Sequence, residues 1–211
     1  MIPTRFCAMV AAGMCAFALA ACEGQSDAEK LGTILYHKIF AIGGAEEVPR
    51  ARVVAIPYAT LGVQFGSSDQ AMFVLAGKSG SELEWVGGTQ FAISTRDGRI
   101  ARTAGFPHNL GGIASDPDST ATLRIYRYDL PDINAYGIVV SCNVRDLGEE
   151  RLTILEIVHD TRHVAEECTA PQVSWDFTNE FWLEQGAILR SIQYVHPGVD
   201  PVTLETLRPA G

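Results

Sequence analysis

The stretch Thr89-Gln90-Phe91-Ala92-Ile93-Ser94-Thr95-Arg96-Asp97-Gly98-Arg99-Ile100-Ala101-Arg102-Thr103 decides the fold class, because it is typical of two β-strands joined by a tight turn. Asp-Gly is among the dipeptides that hairpin loops prefer. Two loop lengths are compatible with these residues. A two-residue loop pairs Ile93 with Arg102, and a four-residue loop pairs Ile93 with Ile100. We favour the longer loop because it places two β-branched apolar residues on one face.

Further strand-like segments lie on both sides of this hairpin. Strands are expected over residues 53–65, 71–76, 83–86, 123–130, 137–144, 152–158, 163–168, 173–183, 188–195 and 202–204. The proline-containing segment 106–120 between them is expected to be a long connection. About ten to twelve strands predict a mainly β fold, either an antiparallel β-sandwich or an open barrel.

The N-terminal residues have the pattern of a bacterial lipoprotein signal. Arg5 precedes an uncharged apolar run, and Leu19-Ala20-Ala21-Cys22 resembles a lipobox, in which Cys22 becomes the acylated first residue. We therefore predict a cleaved signal peptide over 1–21, a polar tether over 22–30 and a single β-rich domain over 31–211. Within that domain, apolar residues at helical spacing from Leu31 to Ile39 predict one N-terminal α-helix.

Charge and cysteine usage restrict the partners and the compartment. Removal of the signal leaves fifteen basic and twenty-five acidic residues, a net charge of −10, which excludes nucleic acid as a partner. Cys142 and Cys168 are then the cysteines left to fold in an oxidising compartment. Both have inward parity in their strands. They are expected to form either a disulfide or two buried thiols, and the sequence leaves these alternatives open.

One aromatic strand offers candidate contact residues. If residues 173–183 form a regular strand, Trp182 lies on the solvent face together with Asp176 and Glu180. An exposed indole beside carboxylates suits stacking on a sugar ring or anchoring a partner protein, and Trp85 is a second candidate. The alternative is that a bulge or the helix buries Trp182.

Other chemistry is weakly supported. His159 and His163 stand roughly 13 Å apart in a strand, too far for one metal ion, so no metal site or cofactor is predicted. There is no Gly-x-Ser-x-Gly motif. Paired acids occur at Asp116/Asp118, Glu149/Glu150, Glu166/Glu167 and Asp176/Glu180. In an acidic protein such pairs are expected to be solvated, and no catalytic residue is predicted.

Several segments in order resemble the YjbF/GfcB family of lipoproteins. They are Val53 to Thr60, Glu84-Trp85, the hairpin Thr95 to Ile100, Arg102 to Gly105, Asn109-Leu110, Asn179-Glu180-Phe181-Trp182 and Arg190-Ser191-Ile192-Gln193-Tyr194. The resemblance implies a β-rich, non-enzymatic lipoprotein associated with group 4 capsule and exopolysaccharide secretion. It also implies an outer-membrane location beside an outer-membrane β-barrel protein and other secretion components. It does not extend to Cys142 and Cys168, and it brings no catalytic residues.

Together these observations predict an accessory or scaffold protein of polysaccharide secretion, held by acyl chains on Cys22 at the periplasmic face of the outer membrane. Two alternatives stay open. One is a polysaccharide-binding module that contacts sugar through Trp182 and Trp85. The other is a periplasmic glycan-modifying enzyme that uses two of the paired carboxylates.

Overall fold

Residues 46–211, which the computed structural model describes, form one antiparallel sheet. Its strands are β1 (Thr60–Phe65), β2 (Ala71–Ser79), β3 (Glu82–Gly87), β4 (Phe91–Arg96), β5 (Arg99–Ala104), β6 (Gly112–Ser115), β7 (Leu123–Leu130), β8 (Ala135–Ile154), β9 (Ile157–Ala170), β10 (Trp175–Glu184), β11 (Ala187–Gln193) and β12 (Val202–Arg208). A short helix, α1 (Arg50–Val54), precedes them, and single 3-10 turns, η1 (Pro131–Ile133) and η2 (Pro171–Val173), precede β8 and β10. The predicted signal peptide, Cys22, the tether and the helix from Leu31 to Ile39 lie outside the described residues.

The sheet is a meander in which the first strand, β1, pairs with the last strand, β12. Neighbours in the sheet are consecutive in the chain except that β1 pairs with β12, so the order runs from β5 through β1 and β12 to β6. β5 and β6 lie side by side without forming a ladder, and the link there is a bond from the Thr103 amide to the Leu110 carbonyl. The prediction of a mainly β antiparallel fold is confirmed. The sheet is a nearly closed, barrel-like one with a seam between β5 and β6.

The main core fills the inside of this sheet. It is built from the inward residues of nearly every strand, among them Val63, Phe73, Trp85, Ile93, Tyr128, Val140 and Trp175. A disulfide joins Cys142 of β8 to Cys168 of β9 within this core, and the two residues are direct cross-strand partners with a Cα–Cα distance of 3.9 Å. It thus ties together the two longest strands from inside.

A second, smaller apolar cluster covers part of the opposite face of the sheet. Helix α1 contributes Val53, which packs with Leu152, Trp182 and Leu207. The predicted strand over 53–65 is therefore wrong in its first half, and β1 begins only at Thr60. Val53 is 2% exposed, so its burial against the sheet replaces strand pairing.

The hairpin of β4 and β5 has a two-residue loop, so the predicted four-residue loop is wrong. Arg96 pairs with Arg99, and a bulge after Ser94 inserts one extra residue in β5, so that Ile93 pairs with Thr103. The extra residue reverses the side-chain parity along β5. As a result Ile100 and Thr103 both point inward, and Ile93 and Ile100 are buried without facing each other.

Two other segments differ from the predicted ones. The connection over 106–120 contains a short strand, β6, that pairs with β7. The segments 137–144 and 152–158 are largely one continuous strand, β8, bent at a register shift between Asp146 and Gly148. Within residues 46–211 no helix has the length and apolar character needed to cross a membrane.

Candidate functional site

A buried ion pair lies inside the sheet near its seam. Arg99 of β5 donates from Nη2 to Oε1 of Glu166 on β9 at 2.9 Å and from Nη1 to Oε2 at 3.0 Å. Glu166 is 1% exposed. The Arg99 Nη1 also lies 3.1 Å from the Tyr126 hydroxyl, which is within 3.4 Å of both Glu166 oxygens. Such a bidentate geometry is the strongest form of a side-chain ion pair.

The surroundings of this pair fix its protonation. Burial acts to lower the pKa of Arg99, but the charge of Glu166 acts against burial and the pKa of Arg99 is raised on balance. The guanidinium also stacks over the Phe181 ring, with the Cζ atom 4.0 Å from the ring centroid. Burial raises the pKa of Tyr126 to about 12. At neutral pH the arginine is therefore charged and the phenol is neutral.

A cavity of about 260 Å³ opens beside this pair, at the seam of the sheet. Its lining consists mainly of arginine, tyrosine and amide side chains with two apolar walls; the lining residues are Arg96, Asp97, Arg99, Ile100, Ala101, Ile113, Ser115, Arg124, Tyr126, Tyr128, Asn179 and Gln193. The cavity thus lies between the hairpin of β4 and β5 on one side and strands β6 and β7 on the other.

Arg124 supplies a further positive charge to the cavity. It lies on β7 at the same parity as Tyr126 and Tyr128, so its side chain faces the cavity and is half-buried. Among residues 46–211, no carboxylate lies within ion-pair distance of its guanidinium. In contrast, Arg99 is bound to Glu166 and Arg96 to Glu82, the latter at 2.9 Å.

Two buried amides form the floor of the cavity. Asn179, 3% exposed, accepts a hydrogen bond from the Tyr194 amide at 2.8 Å. Gln193, 4% exposed, accepts one from the Ile100 amide at 3.0 Å and so fixes β11 to the hairpin of β4 and β5. Burial raises the pKa of Tyr128, which hydrogen-bonds Asn179 and remains neutral. The floor therefore presents polar but uncharged groups.

This arrangement favours binding over proton transfer. Glu166, the acid of the ion pair, is fully buried and takes both of its strong bonds from Arg99. Asp97, which supplies the carboxylate of the cavity lining, lies exposed in the hairpin loop at a φ of 51°. A cavity with a cationic mouth, aromatic walls and an amide floor suits a small polar ligand that carries negative charge.

The predicted contact residue Trp182 is buried, so the expectation of a solvent-exposed indole is wrong. It is 7% exposed and lies in the second apolar cluster with Val53 and Leu207. Its ring stacks on His163 with centroids 4.2 Å apart. The predicted parity is correct, because Trp182 lies on the face opposite Phe181, but the segment that contains α1 covers that face. Burial of Trp182 is the alternative observed, with Val53 of α1 packed against it. The helix predicted over residues 31–39 lies outside the described residues and is not tested as the cover.

Trp85 is also enclosed. It is 3% exposed in the main core, and its Nε1 donates to the Thr95 hydroxyl at 2.9 Å. Because Trp85 and Trp182 belong to separate clusters on opposite faces, the structure does not bring them together. Of the two carboxylates proposed beside them, Asp176 is exposed, and Glu180 lies 3.2 Å from the His163 Nε2. A glycan contact at Asp176 or Glu180 stays a prediction.

The acidic residues of the predicted pairs lie in different environments. Glu167 is exposed and bound to Arg145 at 2.6 Å, as expected of a solvated pair member, but its neighbour Glu166 is buried. The burial of Glu166 is indicated by the sequence, because Glu166 has the same parity as the inward-facing Cys168. His159 and His163 interact with different acids and do not converge. His159 lies 3.3 Å from Glu184, whereas His163 lies between Glu150 and Glu180.

A histidine–aspartate cluster that was not predicted from the sequence lies in the segments that follow β5, β7 and β11. His108 Nδ1 is 2.7 Å and His196 Nε2 is 3.2 Å from the same oxygen of Asp132, and the two imidazoles stack with centroids 4.7 Å apart. The three residues come from distant segments, so no spacing in the sequence indicates them.

The protonation of this cluster disfavours a metal ion. The Gly198 amide donates to His196 Nδ1 at 2.9 Å, so Nε2 carries the ring proton; it lies 3.2 Å from the Asp132 carboxylate without forming a hydrogen bond to it. Burial lowers the pKa of His196, although the charge of Asp132 opposes it. For Asp132, burial is outweighed by the hydrogen bond from His108 and the attraction of His196, which together lower its pKa. We interpret the cluster as a set of contacts that holds these loops together.

The fold and its cavity define a class: a small antiparallel β-protein with an arginine-lined cavity at the seam of a nearly closed sheet. The sequence matches the family described as "Group 4 capsule polysaccharide lipoprotein gfcB, YjbF" over residues 36–207. The chain therefore belongs to the YjbF family. This membership connects it with capsule polysaccharide and with the cell envelope. No curated protein matches the chain.

Among solved structures, the chain is similar to the hypothetical lipoprotein YmcC from Escherichia coli (K12). The two share 20% identity with a TM-score of 0.63, and the match covers 89% of this chain and 98% of the other. At this identity the likeness shows the fold. The nearly closed sheet is thus an architecture that a second lipoprotein also has.

Proposed function

We propose that the protein is a lipid-anchored, non-catalytic accessory factor of capsule or exopolysaccharide secretion. In this proposal acyl chains on Cys22 hold it at the periplasmic face of the outer membrane. A β-barrel secretion protein of that membrane and other secretion components are its partners. The family match over most of the chain supports the connection with capsule polysaccharide.

The proposal that the protein is non-catalytic is supported by one observation: motifs that are distant in the sequence meet in the structure. The hairpin supplies Arg99, the Asn-x-aromatic-Trp segment supplies Asn179 and Phe181, and the Arg-Ser-x-Gln-Tyr segment supplies Gln193. All four lie around one ion pair and one cavity. Their contacts hold strands together and shape a binding surface. None of these side chains is arranged as a nucleophile with a base.

The decisive experiment removes the anchor. In cells of the source bacterium, Cys22→Ser is expected to leave an unprocessed precursor that takes up no labelled palmitate and to reduce surface polysaccharide. Cys15→Ser, a change of the same type inside the signal, is the matched control and is expected to be processed and labelled normally. Normal labelling of the Cys22 variant, or full polysaccharide secretion by it, would refute the proposal.

A second measurement addresses catalysis. Incubation of the purified protein with the exported polymer is expected to leave the polymer length unchanged by size-exclusion chromatography. Cleavage that disappears in Glu180→Gln or Glu150→Gln, with unchanged stability of the variant, would assign the protein to the glycan-modifying enzymes instead.

A further inference from the structure

We propose that the seam cavity binds one acidic sugar residue of the polymer, with the sugar carboxylate held by Arg124. This inference rests on the proposed function, because that function brings the protein to a polysaccharide. It goes further by naming the binding site, the chemical class of the ligand and the residue that recognises its charge.

The cavity is positively charged although the chain as a whole is acidic. Acidic residues outnumber basic ones by twenty-five to sixteen, yet the cavity lining holds three guanidinium groups and one carboxylate. Glu166 neutralises Arg99 and Glu82 pairs with Arg96, whereas Arg124 has no ion-pair partner among residues 46–211, so its charge is open to a ligand. A planar guanidinium matches a carboxylate with two parallel hydrogen bonds, which a half-buried site strengthens.

The size and walls of the cavity suit a single sugar ring. At about 260 Å³ it is smaller than the roughly 300 Å³ at which pockets for drug-sized ligands begin. Tyr126 and Tyr128 offer aromatic surface, and Ile113 offers an apolar wall. The amides of Asn179 and Gln193 lie at the bottom. Gln193 already donates to the Ser191 hydroxyl and each amide oxygen already accepts one backbone bond, but an amide oxygen has a second lone pair that can accept a bond from a sugar hydroxyl.

The seam gives the ligand a way in. β5 and β6 form no ladder with each other, so the sheet is interrupted beside the cavity. Ser115, at the end of β6, is exposed and borders the opening. A terminal or side-branch sugar can therefore enter from the side while the rest of the polymer stays in solvent.

The test compares two arginines of the same strand. Arg127 lies on β7 but faces outward, exposed and paired with Asp116 at 3.0 Å, so Arg127→Gln removes the same charge away from the cavity. Binding of trigalacturonate is measured by titration calorimetry in the full mature protein. Arg124→Gln is expected to weaken it about 10- to 100-fold, as the loss of a charge-assisted hydrogen-bonded pair predicts. Arg127→Gln is expected to leave it within about twofold.

Further probes separate the ligand sources. Maltotriose, which has no carboxylate, is expected to bind at least about tenfold more weakly than trigalacturonate. Inorganic phosphate is expected not to displace the acidic trisaccharide at equal concentration. Equal affinity for the neutral sugar would overturn the inference. Displacement by phosphate would do the same and would point to a site for small anions.

A blocking variant guards against an effect on folding. Ser115→Trp places a large side chain at the opening, beside the cross-strand partner Tyr126, and it is expected to abolish binding with an unchanged urea midpoint. Undiminished binding in this variant places the ligand elsewhere and overturns the inference. Absence of trigalacturonate binding in the wild type also overturns it. The proposed function still stands in that case if Cys22→Ser reduces surface polysaccharide.

Discussion

Removal of the Arg99 guanidinium is expected to destabilise the protein strongly. In Arg99→Met, Glu166 stays 1% exposed and keeps only the neutral Tyr126 hydroxyl as a donor. Leaving one charge of a buried pair without its partner costs about 3 to 5 kcal/mol. This is a large part of the roughly 5 to 15 kcal/mol that stabilises a typical domain.

The reverse change is expected to cost less, because the two partners differ in access to water. The Arg99 side chain is 32% exposed, so in Glu166→Gln the cation can turn towards solvent and still bond the new amide. We expect about 1 to 3 kcal/mol. The double variant Arg99→Met/Glu166→Leu removes both charges and is expected to be close to the wild type, within about 1 kcal/mol.

The assay is urea unfolding followed by tryptophan fluorescence with the disulfide intact. Trp85, Trp175 and Trp182 are all buried, so unfolding changes the environment of each. Arg96→Met is the matched control, since its pair with Glu82 is half-exposed and is worth about 0 to 1 kcal/mol. A cost below about 1 kcal/mol for Arg99→Met, or a double variant no more stable than that single one, would refute the assignment of a buried, coupled pair.

Three further predictions concern other parts of the fold. Cys142→Ala/Cys168→Ala is expected to lower the free energy of unfolding by about 3.5 kcal/mol, from the loop entropy of a 26-residue separation, and an unchanged urea midpoint would contradict this. Trp182→Ala is expected to cost about 3 to 5 kcal/mol in the same assay, whereas an exposed indole would cost almost nothing. Because burial lowers the pKa of His196, the unfolded chain takes up that proton first as the pH falls below 6.5. The thermal midpoint is therefore expected to decrease from pH 7 to pH 5, less steeply in His196→Asn, and an identical slope in that variant would rule out His196 as the cause.

The strands could be predicted from local pattern because alternation and turn residues are local properties. The turn at Asp97-Gly98 and the inward parity of Cys142 and Cys168 are correct for this reason. The bulge after Ser94 could not be predicted, since it depends on which residues must face the core. Similarly, the covering of Trp182 depends on α1, which lies more than a hundred residues away in the chain.

The candidate site was predictable only in its parts. The motifs that carry the family resemblance contain Arg99, Asn179 and Gln193, but nothing in their spacing indicates that they meet. The partner Glu166 lies 67 residues from Arg99 and was expected to be solvated, because composition alone favours that for an acidic pair. The parity of Glu166, which matches that of Cys168, indicates burial instead. For a charged residue, however, inward parity predicts burial only when a partner that neutralises the charge is known.

The pairing of β1 with β12 has a consequence for how the chain folds. β1 is among the first strands to be synthesised, but its partner begins at Val202, so residues 66 to 201 must be complete before the sheet can close there. Until then β1 pairs with β2 alone and presents an open edge with apolar Leu61 and Val63. Open edges recruit other strands, and non-local pairing is slow. Refolding at high protein concentration is therefore a competition between closure by the chain's own last strand and aggregation through the first.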